Sequence, residues 1–243
     1  NFENKSSYSF NVIATDNGTL TDTQAVTLSI NDVNKAPVIT SSATVAIDEN
    51  IGAGQVVYTV TSTDVDASAT VTYSLSGTDA SLFTIDSTSG EVTLIANPNF
   101  ENKSSYSFNV IATDNGALTD TKAVTLAIND VNDAPEGTVT ISGTVTQGET
   151  LTASNNITDA DGMGTISYQW YADGVLINGA VNSTYTLTQN EVNKAITVVA
   201  SYTDGFGANE TVTSSPTADV LNVNDAPIVS NNNIDVKLSF GDV

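Results

Sequence analysis

Apolar side chains fall at every second position in run after run of this chain. Tyr106, Phe108, Val110 and Ala112 alternate with Ser107, Asn109, Ile111 and Thr113, and Val124, Leu126 and Ile128 continue the pattern. A period of two places one set on a buried face and the other toward solvent, so these runs are strands with one face on a core. Phe83 and Ile85 stand opposite Val92 and Leu94 across the segment DSTSG, whose Gly90 can supply the positive φ of a hairpin turn. Further along, Ile166, Tyr168 and Trp170, then Tyr185 and Leu187, then Ile196, Val198, Ala200 and Tyr202 follow the same logic, which makes Trp170 a core residue of a seven-strand sandwich. No stretch gives a convincing helix. The expected fold is all-β.

Self-comparison divides the chain into modules. Residues 1–37, NFENKSSYSFNVIATDNGTLTDTQAVTLSINDVNKAP, return as residues 99–135 at an offset of 98, with differences only at Thr19/Ala117, Gln24/Lys122, Ser29/Ala127 and Lys35/Asp133. A period near 100 residues is too long for a solenoid repeat and is the size of a sandwich domain. Proline marks the joints in NDVNKAP, NDVNDAP and NVNDAP. The expected organisation is the C-terminal part of a module at 1–35, whole modules at 36–133 and 134–225, and the start of another at 226–243, joined end to end. The first residues read as the middle of a domain.

Charge narrows the function. The 28 acidic residues face six lysines, with no arginine and no histidine, for a net charge of -22. Nucleic acid and anionic membrane are therefore not expected as partners. With no cysteine, disulfides cannot hold the modules, and Ser-His or Cys-His catalysis and ordinary zinc sites have no ligands or bases. No apolar run reaches the 18 or so residues of a membrane helix, so direct insertion is not expected. An all-β, cysteine-free, lysine-poor chain fits the exterior of a bacterium.

The carboxylates sit where strands end, and calcium requires that placement. It takes six to eight oxygen ligands at about 2.3–2.6 Å, so several loops must converge on it. Strand alternation places Asp64, Asp66 and Asp114 at the end of the first whole module nearer residue 36. Glu49, Asn99 and Glu101 fall at the other end, beside the joint residues Asp130, Asn132 and Asp133. Glu210 reads as an ordinary surface carboxylate. Any single Asp-x-Asp is equally a turn, since aspartate accepts hydrogen bonds from its own backbone. Many carboxylates at one joint would repel, by about 1 kcal/mol per close pair in water, and that favours a bound cation.

These motifs resemble cadherin repeats in family order over residues 1–133. They are Asp-Glu-Asn at 48–50, Asp-x-Asp at 64–66, the aromatic-Glu step Phe100-Glu101, Ala-x-Asp-x-Gly at 112–116, and an Asp-x-Asn linker ending Ala-Pro. FTIDSTSGEV is also similar to the family's central hairpin. The resemblance implies calcium between successive modules, with Glu3, Asp32, Asn34, Asp64, Asp66 and Asp114 at the first joint. At the second it implies Glu49, Asn99, Glu101, Asp130, Asn132 and Asp133. Asn99 stands where the family usually has Asp, and the joint is one residue shorter than the familiar form. Lys35 opposes calcium at the first joint.

Residues 134–225 resemble the bacterial immunoglobulin-like domains of very large repeat adhesins, through GTVTISGTVTQGETLTA, TISYQWYADG and STYTLTQNEV. Their acidic spacing still echoes the other module. Glu191 precedes Asp204 by 13 residues, as Glu101 precedes Asp114, and Asp159 and Asp161 take the places of Asp64 and Asp66, so Asp159, Asp161 and Asp204 are expected to complete the calcium site of the second joint. The resemblance to RTX-type adhesins implies a calcium-binding stalk, extracellular or on the bacterial surface, monomeric, whose partners are its own neighbouring modules, with any cell-surface or glycan ligand bound by other domains. The alternative is a carbohydrate-binding or accessory module of a secreted polysaccharide-degrading enzyme. A hydrolase would need paired carboxylates in a pocket, and here they lie at module ends.

Overall fold

The structure, a computed structural model, describes residues 2–224, and the further module expected over 226–243 lies outside them. The chain divides into two compact units, Asn1–Val131 and Asn132–Val243, two residues ahead of the expected boundary.

The first unit opens with a hairpin, β1 (Ser7–Thr15) and β2 (Thr21–Ser29). A sandwich follows, built from β3 (Val38–Ile39), β4 (Thr44–Asp48), β5 (Val56–Thr59), β6 (Ser62–Thr63), β7 (Val71–Ser76), β8 (Phe83–Ile85), β9 (Glu91–Leu94), β10 (Ser105–Asp114) and β11 (Thr119–Asn129). One sheet runs β4-β11-β10-β7 and the other β5-β9-β8, with β3 on β6. The first edge of the sandwich therefore changes sheets between β3 and β4, where β4 lies parallel to β11. The alternation read from the sequence holds: Tyr106, Phe108, Val110, Ala112, Val124, Leu126 and Ile128 are all buried. Phe83 packs edge-on against Tyr106 and tilted on Phe108, with centroids 5.5 and 4.6 Å away.

The hairpin at DSTSG forms as expected, with Phe83 paired to Leu94 and Ile85 to Val92. Asp86 closes its turn by accepting the N–H groups of Thr88 and Ser89, each at 2.8 Å, so this Asp is a turn former and no ligand candidate. Gly90 has φ +76°, and a Cβ there would meet the Val60 carbonyl oxygen at 2.6 Å. Gly90→Ala is expected to destabilise the unit by about 1–3 kcal/mol, combining a left-handed alanine with a backbone collision. The urea midpoint measures it, and an unmoved midpoint would show that the turn relaxes freely.

The second unit holds β12 (Val139–Ser142), β13 (Thr150–Asn155), β14 (Ser167–Ala172), β15 (Val175–Leu176), β16 (Thr184–Thr186), β17 (Ile196–Thr203) and β18 (Asn209–Thr213). Its sheets run β12-β13-β16 and β15-β14-β17-β18. These seven strands enclose a separate core in which Trp170, Ile196, Val198 and Ala200 are fully buried. The helical turns among the described residues are two single 3-10 turns, Ala80–Leu82 and Gln189–Glu191. The second is held by a capping box, in which Thr188 bonds the Asn190 N–H and Glu191 accepts the Thr188 N–H.

Candidate metal centre

Three groups of carboxylates each bring oxygens within 4.8 Å of one another: Glu3, Asp32 and Asp66; Glu49, Glu101 and Asp130; and Asp159, Asp161 and Asp204. All nine residues belong to the set expected from the sequence.

The Glu49 group forms because β4 stops at Asp48 and Asn50 turns the chain with φ +59°. Glu49 is thereby buried, accepting the Phe100 N–H at 2.8 Å and the Val131 N–H at 2.9 Å. Those bonds fix one carboxylate against both the loop that carries Glu101 and the linker that carries Asp130. Asn99 is on the same loop, and its Oδ1 accepts the Asn102 N–H at 2.7 Å, closing the turn.

The Glu3 group surrounds residues 32–36. Asp64 Oδ1 accepts the Asp66 N–H at 2.9 Å, which sets the Asp-x-Asp step, and Asp66 Oδ2 accepts the Lys35 N–H at 2.5 Å. Asn34 donates its amide to Asp114 Oδ2 at 2.8 Å, while Asp114 Oδ1 takes the Leu118 N–H at 2.8 Å. Burial alone would raise the Asp114 carboxyl, but the Asn34 amide and the Leu118 and Gly116 N–H groups outweigh it and hold its pKa below the ordinary aspartate value. Gly116 leaves room for the Asn34 amide in this position, since a Cβ would come within 2.5 Å of Asn34 Nδ2 and the Asn34 side chain would have to shift.

The second unit repeats this wiring on a different sequence. Asp159 Oδ1 accepts the Asp161 N–H at 3.0 Å, and Asp161 Oδ2 accepts the Asp133 N–H at 2.6 Å. Asp204 Oδ1 takes the N–H groups of Gly207 and Ala208, both at 2.7 Å. Two close approaches hold the loops in place: a Cβ on Gly205 would meet the Asp161 carbonyl oxygen at 2.2 Å, and one on Gly164 the Thr203 carbonyl oxygen at 2.3 Å. Tyr202 donates to Asp159 Oδ2 at 2.5 Å, and burial followed by that bond pushes its hydroxyl far above the usual tyrosine value.

Four buried side-chain oxygens among the described residues have no hydrogen-bond partner: Asp64 Oδ2, Asp66 Oδ1, Asn132 Oδ1 and Asp204 Oδ2. Each belongs to a residue expected to ligate calcium. An unpaired buried oxygen costs about 1–3 kcal/mol, and more when charged, so a fold retains one where something else satisfies it. The donor sets are all oxygen, which suits a hard cation.

One residue escaped the sequence reading. Glu210 is no free surface group, for its Oε1 accepts the Asn132 amide at 3.1 Å and the side chain is part-buried. The signal was a spacing of six: Asp204 to Glu210 repeats Asp114 to Asp120, and Asp120 also reaches the stretch after a linker, though there Oδ2 takes a main-chain N–H, that of Ile39 at 2.8 Å. At the far end of the second unit the chemistry changes. Val223 donates to Gln147 Oε1 at 3.2 Å, as Val131 donates to Glu49, so a neutral amide stands where the first unit has a buried carboxylate.

Residues 43–129 match the Cadherin domain family. Protocadherin Fat 1 of Homo sapiens is 30% identical over 257 aligned residues, taking in 94% of this chain. Protein dachsous of Drosophila melanogaster is 35% identical over 130 residues, or 50% of this chain. The chain spans 6% of Fat 1, 13% of human Protocadherin-1 and 4% of dachsous. Among solved structures, human CDH23 EC21-23 aligns with a TM-score of 0.59 at 20% identity, covering 92% of this chain and 76% of that one. Mouse Cadherin-23 EC22-24 aligns at 0.52 and 24% identity, covering 92% and 77%. At such identities the likeness concerns the fold. Residues 43–129 thus match the cadherin domain family, in a chain with the β-sandwich fold of cadherin extracellular modules.

Proposed function

We propose that this chain is a calcium-binding extender segment of a secreted or cell-surface bacterial adhesin, in which calcium held at the module ends stiffens the array. The observation that carries the reading is that every buried side-chain oxygen without a hydrogen-bond partner among the described residues is on a residue expected to ligate calcium, two of them, Asp66 and Asp204, within the acidic groups. Glu49, Glu101 and Asp130 would hold the ion at the end of the cadherin-matching unit. Asp159, Asp161 and Asp204, with Asn132 and Asp133, would do so in the next. The near-identical tandem copies and the absence of cysteine, arginine and histidine support a repetitive bacterial surface protein. The hairpin of β1 and β2 pairs in the register of β10 and β11, Tyr8 on Leu28 as Tyr106 on Leu126, which supports reading residues 1–35 as the last two strands of a further module. The carbohydrate-binding alternative needs an exposed aromatic platform, and its candidate, Trp170, is fully buried.

Calorimetric titration of the whole chain is expected to show calcium binding, and X-ray scattering a longer and narrower distribution of distances with calcium than with chelator. Absence of binding heat together with unchanged scattering would end this reading, and a response to glycans in its place would favour the alternative.

A further inference from the structure

Lys35 sits among carboxylates and engages one of them from both ends. Its N–H donates to Asp66 Oδ2 at 2.5 Å, while its ammonium lies 3.6 Å from Asp66 Oδ1 and contacts Glu3 directly. The Asp66 side chain is only 8% exposed, and Oδ1 has no hydrogen-bond partner, so the nearest positive charge to this buried oxygen is the lysine. The corresponding position in the second linker is Asp133, whose N–H makes the same hook on Asp161 at 2.6 Å but whose side chain adds negative charge. The two linkers thus share a backbone geometry and differ in the sign of one side chain.

Charge arithmetic separates them further. Glu3, Asp32 and Asp66 bring three carboxylates into one group, and Lys35 supplies a cation covalently, at no cost in translational freedom. A divalent ion entering this group must displace or repel that ammonium. Among the described residues no ammonium is paired with the Asp159, Asp161 and Asp204 group, and Asp204 Oδ2 lies buried in it without a hydrogen-bond partner.

We infer that the Lys35 ammonium acts as a built-in cation that replaces a calcium ion at the first linker, so that this linker keeps its geometry without calcium while the acidic groups further along depend on it. The inference rests on the calcium reading proposed above and deepens it: the chain would carry two chemically distinct kinds of joint, one answering to calcium and one indifferent to it.

Site-resolved amide spectra of the full chain test this during calcium titration and chelation. In the wild type, the Gly207 and Ala208 N–H signals, which report on Asp204, are expected to move with calcium. Those of Asp66 and Leu118, which report on Asp64 and Asp114, should hold still until calcium is at least tenfold higher. Lys35→Asp should bring the second pair into step with the first and add at least one bound calcium per chain by calorimetry. Lys35→Met, in chelator, should speed amide exchange over residues 32–36 relative to the wild type, because Asp66 loses its cation and gains none. The inference is overturned if Asp66 and Leu118 respond in the wild type at the same calcium concentration as Gly207, or if Lys35→Met in chelator exchanges as slowly as the wild type. Silence at Gly207 and Ala208 would sink the calcium reading itself, and the metal-free Lys35→Met comparison would still decide what Lys35 does.

Discussion

Trp170→Ala is expected to destabilise the second unit by about 3–5 kcal/mol, the range for deleting a fully buried large aromatic. The indole is wholly buried on β14, paired across to Val198 of β17, with Tyr185 at a centroid distance of 6.0 Å. Its N–H donates to the Asn182 carbonyl oxygen at 2.9 Å, so truncation both opens a cavity and removes the partner of that oxygen. Each kilocalorie moves the midpoint of a unit this size by roughly 4–8 °C, so the transition should fall by more than 10 °C. Calorimetry is the suitable measurement, because this is the chain's single tryptophan and fluorescence vanishes with it. The first unit has a core of its own, and its transition should stay in place. A second-unit transition that also stays would mean that the ring is not part of the core.

The inward position of Trp170 was legible from alternation alone, and so was nearly every core residue. Strand periodicity reports which side chains share a face, and in a sandwich one face is core. What alternation cannot report is whether anything covers that face. Tyr8, Phe10 and Val12 of β1 stand in the sequence context of Tyr106, Phe108 and Val110, and both hairpins pair in the same register. The first three are 43%, 50% and 52% exposed and the second three 8%, 2% and 0%. Identical local sequence therefore gives identical local structure, while burial comes from β4, β7 and the opposing sheet, which are distant in sequence.

The acidic groups were legible for a related reason: strand ends are fixed by the pattern, and residues at the same end of a sandwich meet. The sequence placed Asp64, Asp66 and Asp114 at one end and Glu49 and Glu101 at the other, as the structure does. Glu210 was missed because it lies within β18, where its partner on β17 is Tyr202 and no turn residue advertises it. Only hairpin register carries it to the linker amide of Asn132. Lys35 was legible as a charge opposed to calcium. Its contact with Glu3 and its double hold on Asp66 depend on the path of the linker, which no periodicity describes.

Asp204→Asn is expected to change the stability of the second unit in opposite directions with and without calcium. Asparagine retains the Oδ1 acceptor that takes the Gly207 and Ala208 N–H groups, so the loop itself survives. What changes is Oδ2, buried, without a hydrogen-bond partner and grouped with Asp159 and Asp161. In chelator, replacing that oxygen by an amide removes a like charge worth on the order of 1 kcal/mol per close pair and supplies a donor to the neighbouring carboxylates, so the melting temperature should rise by several degrees. In saturating calcium the same change removes a charged ligand and weakens the ion. At a hundredfold excess over its dissociation constant, bound calcium stabilises by about 2.7 kcal/mol, and losing most of this should lower the midpoint by roughly 10 °C. Paired thermal scans of the wild type and the variant, in calcium and in chelator, give the four midpoints. A shift of the same sign in both conditions would mean that Asp204 serves the loop alone and that no cation answers its buried oxygen.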